Sequence, residues 1–174
     1  FKQKTAYEIL TCDWSSDVCS SDLIRSAVRM LTDAFGRLVL SSVYESPAYG
    51  FAGDDFYNLV AGFDAEIELP SLLARLHDIE HACGRQRHQG KFQARSLDLD
   101  LLVFGDLIHH DDEYDLPRQD IVRYAFVLCP LAEIAATERH PELGKSYGEL
   151  WRDFCGETGP VRPVRISLED DQDC

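Results

Sequence analysis

Eleven residues, Arg-Ser-Leu-Asp-Leu-Asp-Leu-Leu-Val-Phe-Gly at positions 95–105, constrain the fold more than any other part of the chain. In an extended backbone successive side chains point to opposite faces. Leu97, Leu99, Leu101 and Val103 then share one apolar face, and Ser96, Asp98 and Asp100 share the other. Such a strand belongs in a sheet with one face against a core. Its other face carries two carboxylates about 7 Å apart. Aspartate is depleted in strands, so a pair on one face needs a reason. A hard divalent cation is one, since Mg²⁺ commonly takes one or two carboxylates plus phosphate oxygens. A solvated acidic surface is the other, and the strand alone leaves both open.

The loop before it carries Arg85, Arg87, His88, Lys91 and Arg95 and no acid, in a chain with 31 Asp and Glu. Guanidinium forks bind phosphate oxygens bidentately. A basic loop leading into a carboxylate pair therefore suits a nucleoside triphosphate and its metal better than a balancing surface patch. The formal net charge of −14 argues against non-specific nucleic-acid binding and against an anionic membrane surface. A nuclease built on Asp98 and Asp100 is disfavoured for the same reason. No apolar run approaches the roughly 20 residues of a membrane-spanning helix. The six cysteines form no CxxC pair and no Cys/His zinc spacing. They read as free thiols of a cytoplasmic protein, with Cys129 expected in the core.

Along the chain, residues 1–23 show neither helical nor strand periodicity and resemble a translated sequencing-adaptor read-through. They are read as a foreign or disordered segment. From Ile24 apolar residues recur at helical spacing through Val28, Leu31 and Phe35, with Gly36 as the stop. A strand is expected over 38–44, a Pro/Gly loop over 46–53, a long strand over 56–69, and a helix from Pro70 to Gly84. After the acidic strand come a turn at Gly105-Asp106, a helix following Pro130 and a short helix over 147–154. Residues 24–160 form the expected domain and 161–174 an acidic tail. The order from Ile24 is helix, strand, strand, helix, strand. That is a βαββαβ ferredoxin-like α+β sandwich lacking its first strand, and the gap falls where the foreign segment lies.

The segment Arg95-Ser96-Leu97-Asp98-Leu99-Asp100-Leu101-Leu102 closely resembles the signature of the 6-hydroxymethyl-7,8-dihydropterin pyrophosphokinases of folate biosynthesis. Further matches run in order from about Ile24 to Trp151. They include Ser41-Ser42-Val43-Tyr44-Glu45-Ser46-Pro47, Phe56-Tyr57-Asn58, Gly84-Arg85, and Phe126-Val127-Leu128 before Pro130-Leu131. The resemblance implies a ferredoxin-like fold and transfer of pyrophosphate from ATP to the pterin hydroxymethyl group, releasing AMP. It implies that Asp98 and Asp100 hold two Mg²⁺ ions, and that Arg85 and Arg95 clamp the phosphates and stabilise the transition state. Phe56 and Phe126 match the aromatics that stack on the pterin. Asn58, with Ser46, Pro47 and Tyr49, matches the groups that read its edge. Glu80, Arg87, Arg118 and Arg123 fall near the nucleotide, Glu80 fitting a plain helix-surface acid equally well.

The resemblance departs in two places. Pro117 is followed by Arg118 where many members have His, and nothing in residues 1–23 matches the family's first strand, which ends in a Gly-Ser-Asn-like turn. A chain without that strand would expose two sheet edges. The alternative expectation is therefore a non-catalytic ferredoxin-like module that binds a nucleotide or a protein. Otherwise a cytoplasmic monomer is expected, acting on ATP and the pterin without nucleic acid or membrane.

Overall fold

The computed structural model describes residues 4–13, 17–47, 55–85, 97–111, 114–156 and 159–168. In chain order the elements are β1 Lys4–Asp13, α1 Asp17–Phe35, β2 Val39–Leu40, β3 Val43–Ser46, β4 Phe56–Ala65, α2 Leu69–Arg85 and β5 Leu97–Phe104. They continue with β6 His109–His110, β7 Asp115–Leu116, α3 Asp120–Arg123, α4 Ala125–Ala135, α5 Tyr147–Arg152 and β8 Arg162–Val164. The main sheet runs β5-β1-β4-β3-β8, with β2 also on β4, and every pairing in it is antiparallel. β6 and β7 form a separate hairpin.

A first strand is present within the segment read as foreign. Of the two expectations for it, missing or replaced, this corrects the first. Lys4–Asp13 sits in the middle of the sheet, paired with β4 from Lys4↔Ala65 to Asp13↔Phe56 and with β5 from Ala6↔Phe104 to Cys12↔Leu97. Tyr, Ile and Thr are good strand formers, and pairing on both edges supplies the rest. The Ser- and Asp-rich residues that follow masked this pattern when 1–23 was read as one unit. Helix α1 likewise begins inside that segment, and Leu23 is buried in the core. The edges of β4 and β5 that loss of this strand would expose are paired with β1.

Helices lie on both sides of the sheet. Ile24, Ala27, Val28 and Leu31 of α1 and Leu72, Leu76 and Ile79 of α2 pack with Ala6, Leu59, Ala61, Phe63, Leu97, Leu99 and Leu101. On the opposite side Val127, Leu128, Leu131 and Ala135 of α4 pack with Tyr7, Ile9, Val60, Leu102 and Val103. Val103 thus faces away from Leu101, contrary to the simple alternation. The register slips between Tyr7 and Glu8 against β5, a β-bulge that places Leu102 and Val103 on the same side.

Three other boundaries move. The expected strand over 38–44 is broken at Ser41, whose Oγ accepts the Val60 N–H at 3.0 Å while its own N–H donates to Val60 O. Pro130 lies inside α4 rather than before it, at the cost of one helix hydrogen bond. Residues 162–164, placed in the tail, pair as β8 with β3, and Val164, Ile166 and Leu168 pack on the core. Cys129, expected in the core, is only partly buried.

Candidate functional site

The β-register gathers the sequence-predicted residues into one row. Asp98 on β5 lies opposite Thr11 on β1, Thr11 lies opposite Asn58 on β4, and Asn58 lies opposite Tyr44 on β3. Two residues along each strand, Phe56 lies opposite Ser46. Alternation keeps Asp98, Asp100, Thr11, Asn58 and Ser46 on the α4 side of the sheet. There a cleft of about 210 Å³ is lined by Asp98, Asp100, Thr11 and Arg118, with the aromatic rings of Tyr124 and Phe126 as its wall. Tyr124 and Phe126 stack with centroids 5.2 Å apart and planes 19° from parallel. Tyr124 is extended (φ −116°, ψ 130°) between α3 and α4, which turns both rings toward the sheet. A larger cavity of about 530 Å³ lies at the other end of β1, among Thr5, Tyr7, Arg37, Asp64 and Glu138. It holds none of the candidate site residues named from the sequence.

Asp98 is exposed and Asp100 partly so. Asp100 Oδ1 accepts a 2.8 Å bond from Arg118 Nη1. Arg118 Nε and Nη2 both donate to Asp120 Oδ2, at 3.0 and 2.8 Å. Burial opposes the guanidinium charge, but the Asp100, Asp120 and Asp115 carboxylates outweigh it and hold the Arg118 pKa above its ordinary value. The Arg118 N–H also donates to Leu102 O at 2.9 Å, following a cis Leu116–Pro117 bond. Among the described residues no group of three or more His, Cys, Asp or Glu is arranged to hold a metal. Two carboxylates with a cation already drawn onto one of them fit a Mg²⁺ ion whose other ligands are water and phosphate oxygens.

Asn58 is fully buried. Its Nδ2 donates to Ser46 Oγ at 2.9 Å, and its Oδ1 accepts from Thr11 Oγ1 at 3.3 Å. The amide is thus held in one orientation with its partners supplied by two neighbouring strands. β3 is braced in turn by Glu133 of α4, which accepts from Ser42 N, Ser42 Oγ and the Tyr44 hydroxyl. Burial first, and that bond to Glu133 next, push the Tyr44 phenol up.

The remaining expectations scatter. Pro47 lies in a small groove with Glu45, Asp55, Pro160 and Arg162. The Arg123 guanidinium sits 5.1 Å over the Tyr124 ring. Glu80 is on α2, across the sheet from the cleft, and its Oε1 accepts the Leu99 N–H at 2.6 Å. It therefore holds the outer edge of the strand whose other face bears the carboxylates. The Arg85 side chain, Tyr49, Arg87 and Arg95 lie outside the described residues. Sequence reasoning missed Thr11, Asp120 and Tyr124. Thr11 was lost with the discounted first segment, whereas Tyr124, two residues before Phe126, could have been found from the Tyr-x-Phe spacing.

Comparison with known proteins identifies the family of the chain. Residues 16–136 match the family described as 7,8-dihydro-6-hydroxymethylpterin-pyrophosphokinase (HPPK). A Synechocystis protein named 2-amino-4-hydroxy-6-hydroxymethyldihydropteridine pyrophosphokinase is 36% identical over 136 residues, covering 76% of this chain and 69% of the relative. Proteins of the same name from Haemophilus influenzae and Pseudomonas aeruginosa are 32% and 36% identical, over 76% and 72% of this chain and 82% and 81% of their own. Among solved structures, wild-type Plasmodium falciparum HPPK-DHPS with STZ-DHP superposes with a TM-score of 0.69 at 12% identity. That match covers 88% of this chain and 43% of the Plasmodium chain, so it shows the fold and leaves more than half of that chain unmatched. With the matched residues spanning α1 to α4 and the named relatives aligned over most of their length, the chain belongs to the 7,8-dihydro-6-hydroxymethylpterin-pyrophosphokinase family.

Proposed function

We propose that the chain transfers pyrophosphate from ATP to the hydroxymethyl group of 6-hydroxymethyl-7,8-dihydropterin, releasing AMP, as a monomer in the cytoplasm. The observation that carries the reading is the row of Asp98, Thr11 and Asn58 across three strands, whose Asp98–Thr11 end lies under the Tyr124–Phe126 wall. The strand order β5-β1-β4-β3 with intervening α1 and α2 is read as ferredoxin-like. The non-catalytic alternative rested on a missing first strand and on Arg118 in place of His, and β1 removes the first of these premises.

The pterin hydroxyl is the nucleophile. Its oxygen forms a bond to the β-phosphorus of ATP, the bond from that phosphorus to the bridging oxygen of the α-phosphate breaks, and AMP leaves. The hydroxyl proton passes to solvent or to a carboxylate. Such a reaction asks the protein for positioning and charge stabilisation rather than a covalent nucleophile. Mg²⁺, two ions in this proposal, held by Asp98 and Asp100, would neutralise charge on the phosphates. Arg85, Arg87, Arg95 and Arg118 are assigned to phosphate oxygens, with Arg123 and Glu80 toward the nucleotide. Phe126, with Phe56, stacks on the pterin. Asn58, with Ser46, Pro47 and Tyr49, is assigned to its edge, the Asn58 amide exchanging its contacts to Ser46 and Thr11 for the pterin's acceptor and donor.

Incubating the chain with ATP, the hydroxymethylpterin and Mg²⁺ tests the reading. AMP and the pterin pyrophosphate should appear in equal amounts and only with a divalent cation. Release of ADP, or of AMP without the pterin, would refute it.

A further inference from the structure

Arg118 does something in this chain that the reaction alone does not require. Its guanidinium spans two carboxylates: Nη1 lies 2.8 Å from Asp100 Oδ1, while Nε and Nη2 both rest on Asp120 Oδ2. The Asp120 bonds use one edge of the fork and anchor the side chain. The Asp100 bond uses a single nitrogen on the other side. The Arg118 and Asp100 side chains remain about a third and just under half exposed, so that single contact opens without uncovering a buried charge. Leu102 O fixes the Arg118 backbone through its N–H, so the guanidinium can pivot on Asp120 while the main chain stays in place.

We propose that Arg118 is a built-in counter-cation that occupies Asp100 until a divalent ion takes that oxygen. The displaced guanidinium, still held by Asp120, then turns to a nucleotide phosphate, so that metal binding and nucleotide binding are coupled through this one side chain. The inference rests on the reading of Asp98 and Asp100 as metal-binding carboxylates. It goes beyond that reading in assigning Arg118 opposite effects on two ligands. It opposes the free metal, because it competes for Asp100. It favours the nucleotide, because it gains phosphate oxygens, to which Arg binds as a charge-assisted fork. By linkage the nucleotide then favours the metal by the same factor.

Calorimetry on the full chain with Mn²⁺ alone, and then with a non-hydrolysable ATP analogue at saturating Mn²⁺, tests this. Arg118→Ala should bind Mn²⁺ alone about tenfold more tightly than the parent and bind the analogue about tenfold more weakly. The analogue should therefore improve Mn²⁺ affinity far less in the variant than in the parent. Arg118→Lys keeps the charge but cannot span both carboxylates, so it should lie between the two on the analogue and near the parent on Mn²⁺. Mn²⁺ affinity that is unchanged or weaker in Arg118→Ala overturns the competition. Equal coupling of metal and analogue in Arg118→Ala and the parent overturns the transfer to phosphate. Asp100→Asn separates this from the underlying reading: if it leaves Mn²⁺ binding intact, the metal assignment itself fails. If Asp100→Asn abolishes Mn²⁺ binding while Arg118→Ala changes nothing, only the role of Arg118 fails.

Discussion

Glu8 should make this protein's stability fall steeply with rising pH across the neutral range. Its side chain is 0% exposed in the middle of β1, on the α1–α2 side of the sheet, and neither carboxylate oxygen has a hydrogen-bond partner among the described residues. Burial, and then the nearby charge of Glu80, push its pKa from 4.5 to about 8. The folded chain therefore holds a proton there that the unfolded chain has already released. Stability from this group is complete below about 4.5, falls as pH rises, and is fully lost above about 8. At about 1.4 kcal/mol per pH unit, the loss across that interval is about 5 kcal/mol. That is comparable to the whole stability of a small domain, about 5–15 kcal/mol. Urea unfolding of the parent and of Glu8→Gln at pH 5, 6, 7 and 8 isolates the effect, because all other titrations cancel in the difference. The difference in unfolding free energy should grow by about 1.4 kcal/mol per pH unit in favour of Glu8→Gln. Glu8→Leu, which removes the polar group altogether, should be more stable still at pH 8. A difference that stays constant from pH 5 to 8 would show that Glu8 has a charged partner or reaches water, and would refute the reasoning.

Other perturbations bear on the same framework. Glu80→Gln keeps an acceptor for the Leu99 N–H but removes the charge near Glu8, so the decline should still begin near pH 4.5 but end at a lower pH, with a smaller total loss, in the same unfolding series. Glu80→Ala should in addition cost about 1 kcal/mol at every pH, because the Leu99 N–H loses its acceptor. Asp98→Asn should lower kcat/KM by at least about a hundredfold in the AMP assay. Since Asp98 is exposed, its unfolding free energy should stay within about 0.5 kcal/mol of the parent. Phe126→Ala should raise the pterin KM about tenfold with a smaller change in kcat, the mark of lost ground-state binding.

The acidic strand was legible because period-two alternation is a local property: Leu97, Leu99 and Leu101 do face the core, and Asp98 and Asp100 do share the other side. Val103 was misplaced because the bulge that turns it, with Leu102 left unpaired, is set by the register against β1, which no reading of β5 alone contains. The first strand was missed for a similar reason. A central strand is stabilised by two neighbours, and Glu8 breaks the apolar pattern at a buried position. Two strands could be read from residues 38–69, but the break at Ser41 depends on a hydroxyl that meets Val60 only after folding. In the site, residue types were readable and partners were not. That Arg118 holds Asp100, that Glu80 caps an edge N–H, and that Ser46 and Thr11 orient Asn58 are all contacts between elements far apart in sequence.

The bulge opposite Tyr7 and Glu8 has a bearing on how β5 tolerates changes of length. It stores one spare residue between the carboxylate end of the strand and the turn at Gly105. Deleting Leu102 would restore regular alternation between Leu101 and Val103 and leave Asp98 and Asp100 facing as they do now. Deleting Leu99 instead would turn Asp98 into the apolar layer under α2, since a shift of one residue reverses every side chain beyond it. A one-residue deletion would therefore be absorbed at the bulge but not a few residues earlier, where it would turn the carboxylates into the core.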